Sequence, residues 1–236
     1  MKRTALFVML TATLLPAVAA LAQPNDFDSQ LSGLRKNIIA VCGRLQAAGP
    51  ETAPVQMAAA VDSIISGWKS LQETYQDNPP QAYANDPAWK GYFAEAADNF
   101  ALMRAKASEA NYKRAAQFCG LNCALFVKIH QVNGVETLTD RMFPLRQAMM
   151  LAKAMTAAGN KMGAVRLLKR HLKDFDQMPF GNMDAAKIPE AKTNMALLKK
   201  GYTGLLKTIN QKEKKETESA FLQYLGQFNK IYVKYI

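Results

Sequence analysis

The sequence has few of the residues that carry chemistry in proteins. Its 236 residues include 2 histidines and 3 cysteines, and it contains no Ser/His/Asp set, phosphate-binding glycine loop or paired-carboxylate motif. Because most catalytic sites are built on such arrangements, we predict that the protein is not an enzyme. Alternation of apolar and polar residues over strand-length segments is also lacking, which argues against a β-sheet.

Long uncharged segments are absent beyond the N-terminal end of the chain. That end has a basic start at Lys2 and Arg3, an apolar run interrupted by Pro16, and small residues around 20–22. This order is typical of a secretory signal peptide. We therefore predict a signal peptide over 1–22 and a mature protein in the periplasm, where nucleic acid is not an expected partner.

Helical periodicity runs through nearly all of the remaining chain. Breakers such as Gly49-Pro50, Asn78-Pro79-Pro80 and Gly159-Asn160 interrupt it. The pattern predicts eight helices, at about 27–47, 54–75, 87–107, 110–132, 140–158, 161–175, 188–209 and 212–235. We therefore expect an all-α protein.

The two halves of the chain also resemble each other. Residues 116–130 align with residues 222–236, and the aligned positions share Gln, Gly, Val and Lys residues together with conservative aromatic and aliphatic pairs. An internal duplication of a helical unit of roughly one hundred residues predicts two tandem four-helix bundles. We place the first bundle at 23–134 and the second at 135–236.

One face of the fourth predicted helix holds most of the reactive side chains. Cys119, Cys123 and His130 share a stripe of that face, because their spacing returns to the same side of a helix. Two thiolates and an imidazole are ligands that suit Cu(I), so these residues form a candidate metal site. A structural interpretation competes with it, in which Cys42 on the first helix forms a disulfide with Cys119 or Cys123.

The helix order, an aromatic-rich third helix and a cysteine pair late in the fourth helix resemble the cytochrome c-prime type of four-helix bundle. That family attaches haem through C-x-x-C-H, and the resemblance implies haem c on Cys119 and Cys123 with an electron-transfer or gas-binding function. The sequence departs from the motif, since three residues separate the cysteines and Ala124 stands where the family has its histidine. His130 is then the remaining candidate for an iron ligand.

Charge is distributed unevenly along the chain. Residues 26–134 carry ten Lys/Arg and ten Asp/Glu, whereas residues 135–236 carry eighteen and nine. A basic second half favours docking to an acidic protein or to an anionic membrane surface. A solvated, lysine-rich helical surface explains the same excess without a partner.

The leading interpretation is a non-catalytic periplasmic binding or redox-accessory protein that is similar to cytochrome c-prime, has lost the standard haem attachment and holds no cofactor. One alternative is an electron-transfer or gas-binding cytochrome whose haem is attached atypically. The other is a Cu(I)-binding protein that uses Cys119, Cys123 and His130.

Overall fold

The computed structural model describes residues 26–181, 183–211 and 213–236. The predicted signal peptide lies outside the described residues. The described residues form eight α-helices and no strand, which confirms the all-α fold class. The helices are α1 (Asp26–Ala47), α2 (Pro54–Tyr75), α3 (Trp89–Ser108), α4 (Tyr112–Val132), α5 (Leu138–Ala157), α6 (Lys161–His171), α7 (Ile188–Gln211) and α8 (Lys214–Tyr235).

None of the helices in the described part of the chain combines the length and the apolarity that a membrane span requires.

Several helix ends differ from the predicted bounds, and two of these differences have a clear local reason. α5 begins two residues earlier than predicted, because Thr137 and Asp140 form a capping box in which each side chain accepts the other's backbone N–H. α6 ends at His171, and the chain continues as a tighter 3₁₀ helix over Leu172–Gln177.

Helices α1 to α4 close into one bundle around an aromatic core. Each helix packs against the next, and α4 packs against α1. Trp68 stacks on Phe93 and Phe126, with ring centroids 5.0 and 5.7 Å apart, and its indole N–H donates to the Phe93 carbonyl at 3.2 Å. Large aromatic side chains bury much apolar area, and a bonded indole avoids the cost of an unsatisfied buried donor.

Helices α5 to α8 enclose a second core in the same cyclic order. The ring of Tyr202 packs edge-on against that of Phe175, with ring centroids 5.3 Å apart. The Tyr224 hydroxyl donates to the Leu198 carbonyl at 2.7 Å. The internal duplication itself stays a prediction.

The two bundles share side chains where they meet. Phe143 of α5 belongs to the core of the first bundle, and Ile39 of α1 packs against the core of the second. Helix α4 also contacts α5, and Arg35 on α1 donates a hydrogen bond to Tyr232 on α8. Helices α1, α4, α5 and α8 therefore form the junction between the bundles, and this junction contains all the candidate site residues.

Candidate functional site

A disulfide fixes one wall of the junction. Cys42 on α1 is bonded to Cys119 on α4, with their Cα atoms 6.2 Å apart, a separation that disulfides commonly span. Of the two pairings that the sequence left open, the structure contains the one with Cys119. Cys123 keeps a free thiol.

The Cys123 thiol lies one helical turn beyond the disulfide and is 5% exposed. Burial raises the pKa of this thiol, and the nearby guanidinium groups of Arg35 and Arg146 offset only part of that effect. The side chain is therefore a protonated thiol at neutral pH, and a thiol is a poor nucleophile and a poor metal ligand.

His130 belongs to a different part of the junction from the cysteines. Its Nδ1 lies 2.7 Å from a carboxylate oxygen of Asp140, and its Nε2 lies 3.6 Å from an oxygen of Asp28. Burial alone would lower the pKa of His130, but the hydrogen bond to Asp140 and the negative charges of both carboxylates outweigh it and raise the pKa to about 9. At neutral pH the side chain is an imidazolium that stabilises the fold.

Asp140 joins His130 to a second buried cation. Arg35 on α1 donates to the Asp140 carboxylate at 2.8 Å and to the Tyr232 hydroxyl at 2.6 Å. Burial opposes ionisation of Asp140, yet the hydrogen bond and charge of His130, together with Arg35, lower its pKa to about 2. We call Arg35, Asp140, His130 and Tyr232 the junction network, because these side chains connect α1, α4, α5 and α8.

A cavity of about 710 Å³ lies beside the disulfide, between the same four helices. We call it the junction cavity. Its wall includes the disulfide, the Cys123 thiol and the apolar side chains of Ile39, Leu45, Phe143 and Met150. Its polar lining side chains are Gln46, Lys113, Gln117, Arg146, Gln147 and Asn229.

Among the residues that the structure describes, the lining of the junction cavity contains no carboxylate and no histidine. His130 borders a separate cavity of about 410 Å³, together with Asp28 and Arg35. The stripe that the sequence predicts on α4 is thus divided between two cavities: Cys119 and Cys123 border the junction cavity, and His130 borders the other.

The residues present do not fit the haem attachment of the cytochrome c-prime family. Two thioether bonds need two free cysteine sulfurs, whereas Cys119 is bonded to Cys42. The imidazole of His130 is held by Asp140 and does not line the cavity beside the cysteines. Haem binding stays a prediction that this geometry does not support.

The copper site meets the same obstacle. Cys119 has no thiolate to offer while the disulfide is intact, and Cys123 and His130 border different cavities. Within the described ranges, no group of three His, Cys, Asp or Glu side chains is placed to hold a metal ion. Copper binding also stays a prediction without support from the geometry.

Comparison with known proteins adds no assignment. No protein-family model matches the chain, and no curated protein or solved structure is significantly similar to it. The resemblance to cytochrome c-prime therefore stays a prediction.

The junction network is the part of the site that the sequence analysis missed. Two signals were present in the sequence. Arg35 lies on the same helix face as Leu31 and Ile38, so its charge points toward the core. The Thr137 to Asp140 spacing is that of a capping box. Neither signal identifies the other residues of the network.

Proposed function

We propose that this chain is an exported, non-catalytic binding protein and that its ligand occupies the junction cavity. The observation that carries the proposal is the cavity itself. Its volume of about 710 Å³ lies within the range of about 300–1,000 Å³ that is usual for small-molecule sites. Its lining combines apolar side chains with a small number of polar groups, which is the usual composition of such sites.

Rigid walls support a binding role. The Cys42–Cys119 disulfide links α1 to α4 along one wall, and the junction network holds α1 and α4 against α5 and α8. A cavity whose walls are already fixed loses little conformational entropy when a ligand enters, and this favours affinity.

The protonation states of the junction support a role without catalysis. Asp140 holds His130 as an imidazolium, so this histidine does not act as a general base near neutral pH. Burial holds Cys123 as a thiol, so it is not an activated nucleophile. The periplasmic location and a docking role for the basic second half, toward an acidic protein or an anionic membrane surface, remain part of the proposal.

A neutral fluorescent dye tests whether the junction cavity binds ligands. We expect N-phenyl-1-naphthylamine to bind the purified protein with increased, blue-shifted emission, because the dye fits an apolar cavity. Gly120 lines the cavity, and Gly120→Phe places a large ring in that space. This variant is expected to weaken dye binding at least tenfold, measured by fluorescence titration.

Gly120→Ala is the matched control for the filled cavity. A Cβ at this position would lie 3.5 Å from Nε2 of Gln147, an ordinary van der Waals contact. Alanine also raises helix propensity without filling the cavity, so this variant is expected to bind the dye like the wild type. Equal dye affinity in the wild type and Gly120→Phe, with native circular dichroism in both, would contradict the proposal.

A further inference from the structure

We infer that the ligand of the junction cavity is an amphipathic anion, a molecule with an apolar body and one negatively charged group that is bound by Arg146. This inference depends on the proposed function, since it names the class of ligand for the same cavity. It follows from the charges of the lining, from the unused donors of Arg146 and from the apolar wall.

The charged lining residues all have the same sign. Arg146 and Lys113 are the cations, and no aspartate or glutamate in the described part of the chain lines the cavity. A cationic ligand would therefore find no counter-charge there, whereas an anion would. Positive charge is also felt at the cavity wall, where the Cys123 thiol lies. Burial raises the pKa of this thiol, and the charges of Arg35 and Arg146 oppose part of that rise.

Arg146 is distinguished from the buried Arg35 by its partners. Arg35 forms an ion pair with Asp140 at 2.8 Å. Arg146 donates from Nε to the neutral side chain of Asn229 at 2.8 Å, and it forms no ion pair within the described part of the chain. A guanidinium carries five N–H donors in a planar fork that matches carboxylate and sulfonate oxygens, so Arg146 keeps donors for an anion.

The environment of Arg146 also makes it the stronger anchor of the two lining cations. Lys113 is exposed, so water screens its charge. Arg146 is half-buried and borders an apolar wall that includes Ile39 and Phe143. Charge-assisted hydrogen bonds are stronger where water is partly excluded. The apolar wall suits a hydrocarbon body attached to the anionic group.

A pair of dyes that differ by one charged group tests the inference. The anionic dye 8-anilinonaphthalene-1-sulfonate has the ring system of N-phenyl-1-naphthylamine with one added sulfonate. We expect Arg146→Gln to weaken binding of the sulfonate about tenfold, the usual scale for losing a charge-assisted hydrogen bond, and to change the affinity for the neutral dye by less than twofold. Fluorescence titration of each dye gives both numbers.

Two further variants control for charge and for folding. Arg166→Gln removes the same charge from an exposed position on α6 outside the cavity lining, and it is expected to leave both affinities unchanged. Arg146→Lys keeps the charge but lacks the planar fork, so it is expected to retain more of the sulfonate affinity than Arg146→Gln does. An unchanged sulfonate affinity in Arg146→Gln, or an equal loss for both dyes, would overturn the inference while the binding function stands. Failure of both dyes to bind the wild type would overturn the proposed function as well.

Discussion

Asp140→Asn is expected to lower the free energy of unfolding by about 3–5 kcal/mol, the usual cost of removing one partner from a buried ion pair. The substitution leaves Arg35 and His130 buried without the carboxylate that both contact. Urea unfolding followed by circular dichroism measures the change. Asp62→Asn is the control, because Asp62 pairs with Arg104 at the surface, and exposed pairs contribute roughly 0–1 kcal/mol.

The pH dependence of stability provides a second test of the junction network. The pKa of His130 is about 9 in the folded protein against an ordinary value of 6.5. Its contribution to the free energy of unfolding is therefore complete below pH 6.5 and is lost as the pH rises to about 9. Asp140, with a pKa of about 2 against 3.8, loses its contribution as the pH falls from about 4 to 2. Wild-type stability is expected to fall by about 3 kcal/mol between pH 6.5 and 9, and an equal fall in Asp140→Asn would contradict the network.

Removal of the disulfide is expected to lower the free energy of unfolding about as much as Asp140→Asn does. The bond joins residues separated by 77 positions, and closing a loop of this length in the unfolded chain corresponds to about 4–5 kcal/mol. The double variant Cys42→Ser, Cys119→Ser is therefore expected to unfold at much lower urea concentration than the wild type.

Reductant separates the effect of the bond from that of the substitutions. Dithiothreitol is expected to lower the stability of the wild type and to leave the double variant unchanged. Cys123→Ser keeps the disulfide, so its stability is expected to remain sensitive to reductant. A wild type whose unfolding midpoint is the same with and without reductant would show that the Cys42–Cys119 bond is absent.

Helices were predictable here because their signals are local. Apolar periodicity and the Gly, Pro and Asn breakers located all eight helices, and differences arose at ends such as that of α5, where the Thr137 to Asp140 capping box extends the helix. The disulfide was predictable only as a choice between Cys119 and Cys123. Both lie on the face of α4 that meets α1, and the register between two helices depends on loops and packing that periodicity does not encode.

The partners of His130 show where sequence reasoning ends. Helix geometry correctly placed His130 on the same face of α4 as the cysteines, but that face is long enough to border two cavities. Its partners Asp28 and Asp140 come from α1 and α5. Contacts between helices that are distant in the chain set both the pKa of His130 and the shape of the junction cavity. A single sequence contains no direct signal for such contacts.

The intact mass of the protein purified from periplasm, measured under native conditions and again denatured without reductant, tests the central claim most directly. We expect a denatured mass that is two hydrogens below that of the reduced chain, since one disulfide is present. We also expect a small organic adduct that appears only in the native spectrum and is absent from Gly120→Phe. A covalent gain of one haem, a metal ion as the sole native adduct, or identical native and denatured masses would contradict a binding protein that holds its ligand in the junction cavity.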